Sequence, residues 1–169
     1  DYVLANPSKK LHLNVTSNFS VEHSLFTRYL NYVKSMCDGR IEHFMQYVSL
    51  DSGIAAQAEY IRHGLDYARM AQNVERFLHE IPNRNSLTFI ITMNNLGVTG
   101  LPALLEWILA LRKKHSSTYQ RVWFDTPVLR EPAWQSLQLL PESYAVQLER
   151  ARDFMLTNMV TEANSLHGF

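Results

Sequence analysis

Apolar and polar positions along the chain fall into four rounds of one pattern, a short strand followed by a helix. Leu11-His12-Leu13-Asn14-Val15-Thr16 alternates apolar and polar with β-branched residues at its end, the two-residue period of a strand. Ser17-Asn18-Phe19-Ser20 follows, with short polar side chains suited to a turn or a helix cap. Val21, Leu25, Phe26, Tyr29, Leu30, Val33 and Met36 then recur at helical spacing until Asp38-Gly39 stops the helix.

The second round has its strand at Phe44–Leu50 and its polar end at Asp51-Ser52-Gly53. Helical sequence runs from about Ile54 to His79, with Gly64 as a point where it breaks in two. Pro82-Asn83-Arg84-Asn85 reads as a loop. In the third round, Leu87–Met93 is a β-branched strand ending at Asn94-Asn95. After Gly97 and Gly100 a helix opens at Leu101-Pro102, where proline suits the first turn. Leu104, Leu105, Ile108 and Leu111 form its buried stripe, and Arg112-Lys113-Lys114-His115 place positive charge at its C-terminus, as the helix dipole favours. The fourth round starts with a strand over Tyr119–Phe124 and ends at Asp125-Thr126. There the pattern departs: Pro127 and Pro132 predict an irregular, extended stretch through Trp134 to Leu140. A last helix is expected after Pro141, running to about Asn164.

Strands alternating with helices predict an α/β fold with parallel strands and right-handed crossovers. The favoured architecture is a partial (β/α) barrel of about four strands over residues 1–140, with 141–169 a C-terminal helix or the start of an extension. The same pattern fits a doubly wound sheet. An open four-strand sheet is expected to expose two edges and an apolar inner face, and so to self-associate.

Composition narrows the function classes. The 169 residues carry 16 basic and 16 acidic side chains, which leaves no electrostatic footprint for nucleic acid or an anionic membrane. One cysteine, Cys37, excludes an intrachain disulfide framework and any metal site built from several local cysteines. No apolar run is long enough to span a membrane, and no signal peptide is visible, so a reducing, cytoplasmic setting is the default expectation. A start at Asp1, directly in globular sequence, suits an excised portion of a longer protein.

In β/α folds, sites form at the C-terminal ends of the strands. Those ends are polar in all four rounds: Asn14, Thr16, Ser17 and Asn18; Ser49, Asp51 and Ser52; Asn94 and Asn95; Asp125 and Thr126. Capping explains any one of them, whereas four together point to a polar ligand. Dinucleotide and phosphate loops, a nucleophile elbow and metal-ligand motifs are missing, and the histidines are scattered. Two stretches are more specific. A strand ending Ser49-Leu50-Asp51 with Arg62 downstream can hold a carboxylate through a bidentate guanidinium and a hydroxyl; the competing use of Arg62 is a pair with Glu59 or Asp66 on its own helix. Trp123 to Ser136 is aromatic and proline-stiffened, suited to a substrate wall or to covering a sheet edge.

These residues resemble the radical S-adenosylmethionine superfamily. Ser49-Leu50-Asp51 looks like the Ser-(Leu/Ile/Val)-Asp end of that family's fourth strand. Ile61-Arg62-His63-Gly64, Asn73-Val74 and Phe77-Leu78 look like the helices that follow it. Thr16-Ser17-Asn18 is similar to the third-strand Thr-Asn-Gly end, with a serine inserted and Phe19 in place of the glycine. Thr92-Met93-Asn94-Asn95-Leu96 resembles the fifth-strand end, and Asp125–Pro141 the sixth-strand region of members with a reduced "twitch" extension. The resemblance spans roughly residues 10–160 and lies in the order and spacing of these pieces. It departs in lacking the Cys-x-x-x-Cys-x-x-Cys triad and the Gly-Gly-Glu-Pro-like stretch, both of which fall upstream in the family.

The resemblance implies the later portion of an enzyme that uses S-adenosylmethionine and a [4Fe-4S] cluster to generate a 5′-deoxyadenosyl radical and modify a substrate. Ser49 and Arg62 are expected at the cofactor's methionyl carboxylate or ribose, Asn95 or Asn94 at the ribose, and Asn18 nearby. Asp51 is expected to orient the loop. The cluster ligands and the N-terminal part of the barrel lie outside this segment, which alone is expected to be inactive. The alternatives are a cluster-free binding module on the same scaffold and an unrelated β/α-barrel enzyme; no lysine at a strand end supports the latter.

Overall fold

The computed structural model describes residues 2–82, 84–161 and 168–169. A single helical turn, α1 (Tyr2–Ala5), leads into β1 (Ser8–Ser17), α2 (His23–Cys37), β2 (Ile41–Ser49), α3 (Ala55–Ile61), α4 (Tyr67–Glu80), β3 (Ser86–Ile90), α5 (Leu101–His115), β4 (Val122–Asp125) and α6 (Ala145–Thr157). The four strands form one sheet, all parallel, in the order β1-β2-β3-β4. Neighbours in space are neighbours in sequence, so right-handed crossovers carry every helix to the same side. This is an open segment of a β/α barrel; a doubly wound sheet would place helices on both sides.

Register assigns the two faces. Thr16, Tyr47, Thr88 and Trp123 sit side by side across the sheet, and so do Val15, Gln46, Leu87 and Val122. The second row faces the helices. Phe44, Val48, Leu87, Phe89 and Val122 on that outer side are fully buried. Phe44 packs on Phe77 of α4 and Phe89 on Trp107 of α5. Gln46 is the one polar member of the row. Tyr29 of α2 donates to its Oε1, and its Nε2 donates to the Val15 carbonyl at 3.1 Å, so the buried amide is satisfied.

The inner face corrects an expectation. It is mixed and largely uncharged rather than simply apolar: His12, Asn14 and Thr16 are exposed, Tyr47 and Ser49 half-buried and Thr88 shielded by its neighbours, with Met45, Ile90 and Trp123 set among them. The strands read as apolar runs because their outer residues are strongly hydrophobic, and the two-residue alternation puts most of the polar residues on the opposite side.

Element boundaries moved in places. β1 begins at Ser8 and β2 at Ile41, earlier than the hydrophobic pattern showed, while β3 ends at Ile90 and β4 starts at Val122. The long helix is indeed broken: Gly64 takes φ +81°, open to glycine, and the Asp66 carboxylate then caps α4 through the Arg69 amide at 2.9 Å. α6 stops at Thr157, where the expected helix was longer; Val160 donates to the Phe169 carbonyl and Phe169 to that of Asn158, so the chain turns back to seat Phe169 against Phe124 and Phe154. The expected end near Asn164, like Asn83 of the 82–85 loop, lies outside the described residues.

Arg112 also departs from its sequence role. It is 3% exposed, donates to the carbonyls of Val122 and Gly168, and stands 4.8 Å from the Phe169 ring. Burial holds its guanidinium down at about 10, well above neutrality, so it remains a buried cation. Arg121 is buried in the same way, donating to the carbonyls of Leu78, Ile81 and Asn85. Both arginines knit the N-terminal end of the sheet, opposite the candidate site.

Candidate functional site

The polar strand ends meet along one rim. At the end of β2, Asp51 is buried and its carboxylate has three neighbours: Arg62 Nη2 donates to Oδ1 at 2.9 Å, Arg62 Nε lies 2.8 Å from Oδ2, and the Thr92 amide donates to Oδ1 at 2.8 Å. The pair ties the tip of β2 to the end of α3 and to the residue just past β3. Gly97 permits this closeness, since a Cβ there would come within 2.6 Å of the Asp51 carbonyl oxygen.

Arg62 is therefore committed to Asp51, donating through Nη2, while its buried Nε stands in ion-pair contact with Oδ2 without the alignment of a hydrogen bond. Neither same-helix partner competes for it: Glu59 accepts from the Tyr67 amide, and Asp66 pairs with Arg69. Asn94 is likewise occupied. Its Oδ1 accepts from the amides of Leu96 and Gly97, and its Nδ2 donates to the Thr92 carbonyl, which shapes the turn after β3. Asn18 is exposed, and its Oδ1 accepts from the Ser20 amide at 3.2 Å.

Besides the exposed amide nitrogen of Asn18, two residues keep capacity for a ligand. Ser49 closes β2, half-buried, in the inner row. Asn95 donates through Nδ2 to the Trp134 carbonyl at 2.8 Å, and its amide donates to that of Gln135, but its Oδ1 is buried with no donor among the described residues. A buried acceptor without a partner costs roughly 1–3 kcal/mol. The stretch that holds it is the proline-stiffened one: Met93 donates to Pro127 and Leu129 to Met93, so residues 127–135 strap the end of β3.

Ser52, expected among the polar strand ends, is fully buried and serves structure; the sequence pattern missed its partners. Ser52 donates to Gln57 at 2.5 Å, and Gln57 donates to Thr99, which docks the β2–α3 turn on the start of α5. Asn73 of α4, read only as part of a motif, donates to the carbonyls of Phe19 and Val21. It thereby holds the β1–α2 turn with Phe19 at φ +61°, a conformation glycine adopts more cheaply. Tyr47 and Thr88 line the inner face below the rim beside Trp123, the first residue of the expected substrate-wall stretch; strand period alone marks Tyr47 and Thr88, once it is known which phase faces the helices.

Comparison of the chain with protein-family models, with curated proteins and with solved structures gives no match. Among the described residues no group of three or more His, Cys, Asp or Glu side chains is placed to hold a metal, and no helix is long and apolar enough to cross a membrane.

The groups implied by the radical-enzyme resemblance fit unequally. A four-iron cluster on three thiolates does not fit these residues. Cys37 is the sole cysteine, it ends α2 at the far end of the sheet, it is 3% exposed, and burial pushes its thiol up to about 11. A polar ligand such as S-adenosylmethionine fits better, because the Asn95 acceptor lacks a donor and Ser49 is half-exposed at the rim.

Proposed function

We propose that this chain forms the later wall of a radical S-adenosylmethionine-type barrel in a cytoplasmic setting, with the cluster ligands supplied by sequence outside these residues. The observation that carries the reading is the sheet itself: four sequential parallel strands, every crossover on one side, and a polar rim and inner face left open on the other. The order of Ser49-Leu50-Asp51, Arg62, Asn73 and Asn94-Asn95 along that rim supports the same reading.

In this reading Ser49 and Asn95 hold the cofactor, donating and accepting hydrogen bonds at its hydroxyl, amino or carboxylate groups. Asp51, Arg62 and Asn94 act one step back as positioning residues: they fix the tips of β2 and β3 so that Ser49 and Asn95 stay in place. Held there, S-adenosylmethionine would supply hydrogen-abstraction chemistry, and the part of this chain would be to bind and orient it through Ser49 and Asn95. The inner face presents no lysine or arginine from the middle of its strands, so this wall favours a substrate that is neutral or cationic over a phosphorylated one. The alternative, a cluster-free binding module, draws on the burial of Cys37.

Titration with S-adenosylhomocysteine, a redox-inert probe, tests the reading. Saturable binding is expected, weakened roughly 5–30-fold in Ser49→Ala and in Asn95→Ala as one hydrogen bond is lost. No saturable binding to the wild-type chain overturns the assignment. Stoichiometric iron in the anaerobically purified chain overturns the placement of the cluster ligands elsewhere.

A further inference from the structure

The β1–α2 turn is clamped from several sides, and the clamp leaves one polar group over. Phe19 takes φ +61°, a backbone conformation that a bulky side chain rarely adopts. Its ring is 1% exposed and makes T-shaped contacts with Phe26, Tyr29 and Phe77. Its amide donates to Ser17 Oγ at 3.0 Å, and its carbonyl accepts from Asn73 Nδ2 at 2.9 Å. The same Nδ2 donates to the Val21 carbonyl at 2.8 Å. Asn73 is 3% exposed on α4, so the turn is fixed from the core as well as by its own side chains. Backbone strain held in place by its surroundings clusters at functional sites.

The group that this clamp presents is Asn18. It follows Ser17, which pairs with Val48, and so comes level with Ser49 at the tip of the neighbouring strand. Its Oδ1 is taken by the Ser20 amide, and that bond dictates which way the side-chain amide is turned. The exposed Nδ2 is left without an acceptor among the described residues. Asn95 is turned the opposite way: its Nδ2 is given to the Trp134 carbonyl, and its Oδ1 is left without a donor. Along the rim, in strand order, there is thus a donor past β1, the Ser49 hydroxyl, which serves as either, and an acceptor past β3.

We infer that this rim reads its ligand in one direction. An acceptor oxygen, of a carboxylate or hydroxyl, sits at Asn18 and Ser49, and a hydrogen-bond donor, an ammonium or hydroxyl, sits at Asn95. Asn18 is a third ligand-binding residue, and Asn73 is the positioning residue that acts through it. This rests on the cofactor reading and adds which end of the ligand goes where.

Asn18→Asp tests it with the turn intact, because an aspartate oxygen still accepts from the Ser20 amide while the donor is gone. Binding of S-adenosylhomocysteine, followed by calorimetry, is expected to weaken about 10–100-fold, since a donor is lost and a charge then faces the acceptor. The urea midpoint should not move. Asn73→Ala is expected to weaken binding by a similar factor and to add little in the Asn18→Asp background, because both act through one contact. If Asn73→Ala fails to fold, Asn18→Asp decides alone. 5′-Methylthioadenosine, which lacks the amino-acid end, identifies the oxygen: an Asn18→Asp effect that disappears with this probe assigns the carboxylate, and one that persists assigns a ribose hydroxyl. Asn18→Asp binding S-adenosylhomocysteine as tightly as the wild type overturns the inference and leaves the cofactor reading standing. An Asn73→Ala loss undiminished in the Asn18→Asp background overturns the positioning role. No binding to the wild type overturns both readings together.

Discussion

The two faces of one sheet answer to different demands. On the outer face, Phe44, Val48, Leu87, Phe89 and Val122 are sealed against helices α2, α4 and α5, and the one polar residue, Gln46, has every need met by Tyr29 and backbone carbonyls. On the inner face, a residue away along each strand, sit Asn14, Thr16, Tyr47, Thr88 and Trp123, polar or aromatic and open in varying degree. The difference teaches that stability and recognition are separated here by strand phase. Residues of one parity hold the chain folded, and most residues of the other are open to a ligand.

The strongest way to break that separation is to open the outer face. Phe89→Ala removes a fully buried ring from between β3 and Trp107 and is expected to cost about 3–5 kcal/mol in chemical denaturation. Thr16→Val, at an exposed position of the inner row, should stay within about 0.5 kcal/mol. A Phe89→Ala cost near that of Thr16→Val would mean the register has been assigned to the wrong face.

Next comes the rim, where polar groups serve structure. Asp51→Asn leaves the Arg62 guanidinium with a neutral partner. The Arg62 side chain is 27% exposed and so partly solvated; the expected loss is about 2–3 kcal/mol, below the cost of a fully enclosed pair. Arg62→Met combined with Asp51→Asn should recover part of it. If Asp51→Asn were as stable as the wild type, the positioning role of the pair would fail.

The smallest effect sharpens the inner face. His43 lies near its lower end, with Ser86 Oγ at 3.3 Å from Nε2, and burial first, then the His12 and Arg84 charges, hold it below its ordinary value while Glu42 pulls the other way. The unfolded chain therefore binds the proton more readily. Stability should be fully present above about pH 6.5 and fall as pH drops below that value, levelling off beneath the folded-state pKa. His43→Gln should flatten this part of the pH profile; an unchanged slope would assign it to another group.

Much of the fold was legible from the chain. Four strand–helix rounds, the break near Gly64 and the irregular stretch after Asp125 all follow from local periodicity and from residues that constrain the backbone. The rim was legible as a set of polar strand ends. The division of labour within it was not: Arg62 could be matched to Glu59, Asp66 or a ligand, and only the approach of the β2 tip to α3 selected Asp51. Asn73 carried no local sign of its two bonds to the β1–α2 turn, because they join residues more than fifty positions apart.

What the sequence by itself determined is the succession of elements, since periodicity and caps act over a few residues. Which face of each strand meets the helices and which polar groups are spent on one another were decided only by the tertiary structure. Burial and hydrogen-bond satisfaction are properties of what comes near in space, and a linear pattern does not contain them.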